Sequence, residues 1–165
     1  MLKILSRWLD MIEDIFVIIA CFILFVFTAG IVTEVIFRVF FGRSFQFTIE
    51  YTEYSLIFIP LLGAAWLLRK NGHITIDLVG DLLPAKIIKI LDKIIILVAM
   101  IIALLLTWYG TIVSLEYFDM NMRANTVLQT QLFYIISIIP ISFFVIFLEL
   151  IRKLYQSFKK TTNEE

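Results

Sequence analysis

The chain is poor in the residues that build reactive sites. It has one cysteine and one histidine in 165 residues. A lone Cys21 excludes a disulfide within the chain and a CxxC metal site. Set in an apolar run, it reads as a small buried hydrophobe. His73 has no second histidine or cysteine beside it with which to share a metal. The six glycines and three prolines are scattered, and they form no phosphate loop, nucleophile elbow or repeat. Net charge is zero, so no global field draws a nucleic acid. Charge is also missing over long stretches. Ile15–Thr33, Tyr54–Leu68, Ile94–Leu115 and Ala124–Leu148 contain no Asp, Glu, Lys or Arg.

What is present is apolar mass. Hydrophobic residues make up 61% of the chain and mean hydropathy is +0.98. A soluble domain this small cannot hide that much apolar surface. A helix needs about 20 residues, at about 1.5 Å each, to cross roughly 30 Å of hydrocarbon. All four runs reach that length, the second once Thr48–Glu53 is added. None shows the alternation over about 10 residues that marks a β-barrel span. The first run is too long for a signal-peptide core and has no small-residue cleavage site after it. The expected fold is an all-α integral membrane protein of four transmembrane helices with short interfacial helices. It is a single domain over 1–165, with spans near 13–40, 48–70, 88–118 and 126–152. An interfacial loop at 71–86 and a polar tail at 158–165 complete it. Residues 2–11 mix apolar and charged positions at helical spacing. They read equally as an interfacial helix or as the start of the first span.

Four crossings return both termini and the middle loop to one side. That side carries Lys3, Arg7, Arg69, Lys70, Lys86, Lys89, Lys93, Arg152, Lys153, Lys159 and Lys160. The other side carries Arg38, Arg43 and Arg123. The positive-inside rule then predicts cytoplasmic termini.

Charge in a membrane is costly, about 2.5–3.5 kcal/mol at a span's centre on the insertion scale. No run has one near its middle, which argues against ion-coupled transport by this chain alone. Charge gathers at the outer ends instead. Glu34 and Arg38 are four apart and can pair along one helix face. Arg43 lies in the turn, and Glu50 and Glu53 begin the second helix, where the dipole favours an acid. Two readings stand: mutual neutralisation with snorkelling into headgroups, or a polar interface with another protein. His73, with Asp77 four residues on, lacks a nucleophile or an oxyanion site, and reads as a surface histidine bonded to backbone or to Asp77. Gly72 can cap the preceding helix. Pro60 and Pro140 should kink their helices unless neighbours compensate. Gly63, Ala64 and Ala65 form a small patch suited to close helix packing.

Taken in order, these residues resemble a known family. Arg38 ends the first span; Gly42-Arg43 turns; Phe47 precedes Glu50. Then follow Leu62-Gly63-Ala64-Ala65, Arg69, Gly72-His73-Ile74-Thr75-Ile76-Asp77-Leu78 and Leu83-Pro84. The pattern is similar to the small membrane subunit, DctQ/SiaQ type, of tripartite ATP-independent periplasmic (TRAP) transporters. Ile49 and Glu53 depart from the family's usual pattern. The resemblance implies a scaffold in a bacterial inner membrane, not an enzyme. It implies a larger DctM/SiaM-type membrane subunit that holds the sodium and substrate sites. It also implies a periplasmic binding protein that delivers an organic acid of sialic acid or dicarboxylate type. No cofactor or substrate is expected on this chain, whose remaining partners are membrane lipids. Two rival classes remain. An autonomous small multi-span transporter predicts a mid-span acid, and a membrane enzyme predicts further polar groups near His73 and Asp77.

Overall fold

The computed structural model describes residues 2–42, 46–70, 85–126 and 128–162. The segment holding His73 and Asp77, most of the 71–86 loop, and Arg43 lie outside the described residues. The elements in chain order are α1 (Leu2–Phe41), α2 (Gln46–Arg69), α3 (Ala85–Asp119), α4 (Leu132–Ile136) and α5 (Ile138–Thr162). Four segments are long and apolar enough to cross a membrane: Ser6–Phe41, Glu50–Arg69, Ile90–Asp119 and Leu132–Ser157. No strand occurs among the described residues, only an isolated antiparallel bridge between Arg123 and Gln131.

Residues 2–11 run into the first span without a break, as the beginning of one continuous helix. At about 1.5 Å per residue the 40 residues of α1 extend about 60 Å, twice the hydrocarbon thickness. Helix α1 therefore projects past the membrane.

The helices do not close into a ring. α1 packs along α2, α2 against α5, and α5 along α3. α1 meets α5 over a short stretch, and α3 has no substantial contact with α1 or α2 among the described residues. α5 is the hub: 33% of its most apolar window is buried, against 6% for α1 and for α3. Lipid is as apolar as leucine, so wide uncovered faces carry no hydrophobic penalty in a bilayer. Cys21 sits on such a face, exposed rather than buried.

Two clusters hold the row together. Leu9, Ala65 and Val145 join α1, α2 and α5, and Leu68, Ala103 and Leu150 join α2, α3 and α5. Alanine at two of these contacts lets backbones approach closely, because without a hydrophobic drive between helices packing must come from close fit. A close approach also joins α3 and α5. A Cβ added at Gly110 of α3 would lie 3.2 Å from Pro140 Cδ of α5. Gly63, by contrast, has nothing within 4 Å of such a Cβ, while its neighbour Ala65 is in the core.

Pro140 breaks the last span. It has no N–H to donate to the Ile136 carbonyl, and its ring crowds that carbonyl. The helix accordingly stops at Ile136 and restarts at Ile138, with Ser137 N–H bonded to Phe133 O at 2.9 Å. α2 continues through Pro60. Seven hydroxyls within the spans are satisfied locally: Thr28, Thr33, Thr52, Ser55, Thr107, Thr111 and Ser114 each donate to the carbonyl four residues back. In hydrocarbon no water can do this.

Candidate functional site

Charged side chains concentrate at two levels of the bundle. Glu34 stands twenty residues beyond Asp14 on α1, and Arg69 nineteen beyond Glu50 on α2. Either interval is about 30 Å of helix. The two levels are thus one hydrocarbon thickness apart.

The terminal-side rim is the denser. From α1 come Asp10, Glu13 and Asp14; spacings of three and four residues set all three on one helix face. Arg69, the last residue of α2, reaches them together. Its Nη1 donates to Asp10 O at 3.1 Å and to Asp10 Oδ1 at 3.3 Å. Its Nε lies 3.2 Å from Glu13 Oε2, and its Nη2 pairs with Asp14. On α5, Arg152 contacts Glu149 from two nitrogens, at 2.8 and 2.9 Å, and reaches across to Asp10 Oδ1 at 2.5 Å. Asp10 therefore bridges both guanidiniums, and the three helices α1, α2 and α5 are stitched into one ionic cluster.

Burial gives the cluster its weight. Glu13 is 0% exposed and Glu149 1%. A buried carboxylate needs a counter-charge, since the desolvation penalty is several kcal/mol for each ion. Arg69 and Arg152 supply it. Satisfaction is incomplete: Glu13 Oε1 has no hydrogen-bond partner among the described residues, and neither has the buried hydroxyl of Ser142, two turns before Glu149 on α5. Beside Arg69, Lys70 lies with Nζ 5.8 Å over the Trp66 ring.

The loop-side rim holds the residues singled out from sequence. Glu34 is buried and pairs with Arg38 at 2.5 Å, as the four-residue spacing predicts. Glu50 is buried too, and both its carboxylate oxygens accept from the Leu128 N–H at 3.3 Å. Leu128 belongs to the α3–α4 connection, which is ordered as a small hairpin. Ala124 N–H bonds Thr130 O at 2.8 Å, Leu132 N–H bonds Met122 O at 3.1 Å, and Gln131 Nε2 bonds Asn121 Oδ1 at 3.0 Å. Asn121 and Gln129 take positive φ to make the turns. Glu50 thus anchors this hairpin to α2, while Glu53, one turn on, is exposed.

Sequence reasoning missed the terminal-side cluster. It counted Arg69 and Arg152 as topogenic positive charge and gave no role to the acids. The available signal was three acids on one face of α1 at the end of an apolar run, with an acid and an arginine three apart at the end of α5. Chemically the cluster can hold helices. Among the described residues no group of three or more His, Cys, Asp or Glu is arranged to hold a metal ion, and two of the cluster's six members are already cations.

The chain was compared with known proteins. The sequence profile of the DctQ component of tripartite ATP-independent periplasmic transporters matches residues 27–160. A comparison with curated proteins finds no match. The profile spans most of the chain, from the later part of the first membrane helix to the end of the last, so the chain belongs to the DctQ family of small TRAP transporter subunits, a multi-pass membrane protein whose family partners are a large DctM subunit and a periplasmic binding protein.

Proposed function

We propose that this chain is the static scaffold of a sodium-coupled TRAP transporter in a bacterial inner membrane, with both termini cytoplasmic. It braces the large subunit, which moves, while a periplasmic binding protein delivers an organic acid of sialic acid or dicarboxylate type. Sodium and substrate bind the large subunit. Glu34, Arg38, Arg43, Glu50 and Glu53 are interface or structural positions on the periplasmic side; His73 and Asp77 are structural positions on the cytoplasmic side. Gly63, with open space around it, is where a helix of the large subunit can approach closely.

The observation that carries this reading is the Asp10–Glu13–Arg69–Glu149–Arg152 cluster. It locks α1, α2 and α5 at one level, with no charge between the rims on which an ion could act. Such an arrangement suits a brace better than a moving carrier. Orientation rests on the Lys and Arg bias.

The test is reconstitution of the three components in proteoliposomes. Sodium-dependent uptake of an organic acid should need this chain, and the α1–α2 spacing, read by paired spin labels, should stay constant as sodium and substrate are added. Uptake that survives omission of the chain overturns the subunit role. A changing α1–α2 spacing overturns the bracing role.

A further inference from the structure

Toward the loop-side rim α1 and α2, with Tyr134 and Ile135 of α4, bound a cleft of about 540 Å³. That volume is within the range of about 300–1,000 Å³ typical of small-molecule sites. Its walls include Phe22 and Gly30 of α1 and Phe47, Tyr51 and Phe58 of α2. From Phe47 to Phe58 is eleven residues, about 16 Å of helix, which is half of the roughly 30 Å hydrocarbon layer. The cleft is one leaflet deep and begins at the rim. Gly30 keeps it open: a Cβ there would meet nothing within 4 Å.

The polar atoms of the wall narrow the choice of occupant. Thr52 and Ser55 donate their hydroxyls to carbonyls of their own helix, so they offer little to a peptide backbone. The exception is Tyr54 Oη, buried with no hydrogen-bond partner among the described residues. Side chains lean toward the N-terminus of their helix, and the N-terminus of α2 is at the loop-side rim. Tyr54 lines the cleft, and this tendency sets its unpartnered hydroxyl on the rim side of its own Cα. Charge complements this. Gly30, Glu34 and Arg38 follow at four-residue steps, which puts Arg38 about 12 Å beyond Gly30, at headgroup level. The Arg38 side chain is 58% exposed, while its partner Glu34 is buried, so the positive end of the pair faces the headgroups.

We propose that this cleft holds one acyl chain of a phospholipid from the loop-side leaflet. The chain lies against the phenylalanines, its ester carbonyl accepts from Tyr54 Oη, and its phosphate meets Arg38. The lipid fills the gap between α1 and α2 as a structural part of the subunit.

The test uses the full-length chain in proteoliposomes, alone and in complex with the large subunit. The probe is a phosphatidylcholine with a diazirine on one acyl chain, and adducts are mapped by peptide mass spectrometry. Adducts on residues 22–30 and 47–58 should exceed those on the exposed α3 face around Trp108 severalfold, and they should persist in the complex. Gly30→Leu should lower the cleft adducts severalfold and leave the α3 adducts unchanged. Adducts spread evenly over the wild-type surface overturn the proposal, whatever the variant does. So does a Gly30→Leu protein labelled like wild type. Loss of the cleft adducts on complex formation overturns it as well, since the occupant is then the large subunit.

Discussion

Replacing Arg69 by methionine is the sharpest probe of the ionic cluster. The substitution keeps an unbranched side chain but leaves Glu13 wholly buried without its nearest counter-charge. Breaking a buried pair from one side costs about 3–5 kcal/mol. The contacts to Asp10 and Asp14 contribute less, because those side chains are about half exposed, and exposed pairs give roughly 0–1 kcal/mol each. The Arg152 charge also acts on Glu13, which favours the lower half of the range. A loss of about 3 kcal/mol is roughly two orders of magnitude in the packing equilibrium. The assay is SDS titration of the protein in dodecyl maltoside micelles, followed by tryptophan fluorescence, since Trp66 is one turn from Arg69. The Arg69→Met midpoint should fall well below wild type. Adding Glu13→Gln should recover most of the loss, because the stranded charge is gone. The double-mutant cycle then gives the coupling directly. A midpoint for Arg69→Met equal to wild type, or no recovery on adding Glu13→Gln, would refute the view that a buried charge pair joins these helices.

Three further predictions concern the loop side, the α3–α5 contact and Gly63 of α2. Glu50→Ala strips the acceptor from the Leu128 N–H, worth about 1–3 kcal/mol for a buried group; amide exchange over residues 122–132 should rise, and Glu50→Gln should raise it less. Unchanged exchange means that Glu50 does not anchor the hairpin. Gly110→Leu drives a side chain into Pro140 and should lower the SDS midpoint by about 1–3 kcal/mol of overpacking. Gly63→Ala, where space is open, should leave the midpoint of the isolated chain unchanged or raise it, since alanine is the better helix former by about 1 kcal/mol.

The loop-side rim was partly legible in the sequence. Glu34 and Arg38 sit four apart on one helix, and their pair follows from helix geometry alone. Glu50 was noticed for its place near the start of the second helix, but its partner is a backbone N–H 78 residues away, which no local spacing reveals. Pro140 announced a disturbance, and the break at Ser137 is the form it takes. Glu13 and Glu149 were passed over because each looks, in sequence, like the charged end of a span at the water interface. Only the neighbouring helices make them buried.

Sequence by itself determined the solvent, the number of crossings and the family. Those depend on apolar run length against bilayer thickness and on a linear order of residues, and neither needs to know which helix touches which. The tertiary structure decided the row in which the helices stand, with α5 at its centre and α3 at its edge. It also decided that Arg69 belongs to three acids of α1, that Gly110 rather than Gly63 meets another helix within the chain, and that α1, α2 and α4 bound a cleft near the loop-side rim. The physical reason is common to all of these. In lipid, apolar helices have almost no preference among partners on hydrophobic grounds, so the arrangement is set by close fit and by where a few buried charges find their opposites. Those are properties of pairs of surfaces, and they come into being only when the surfaces meet.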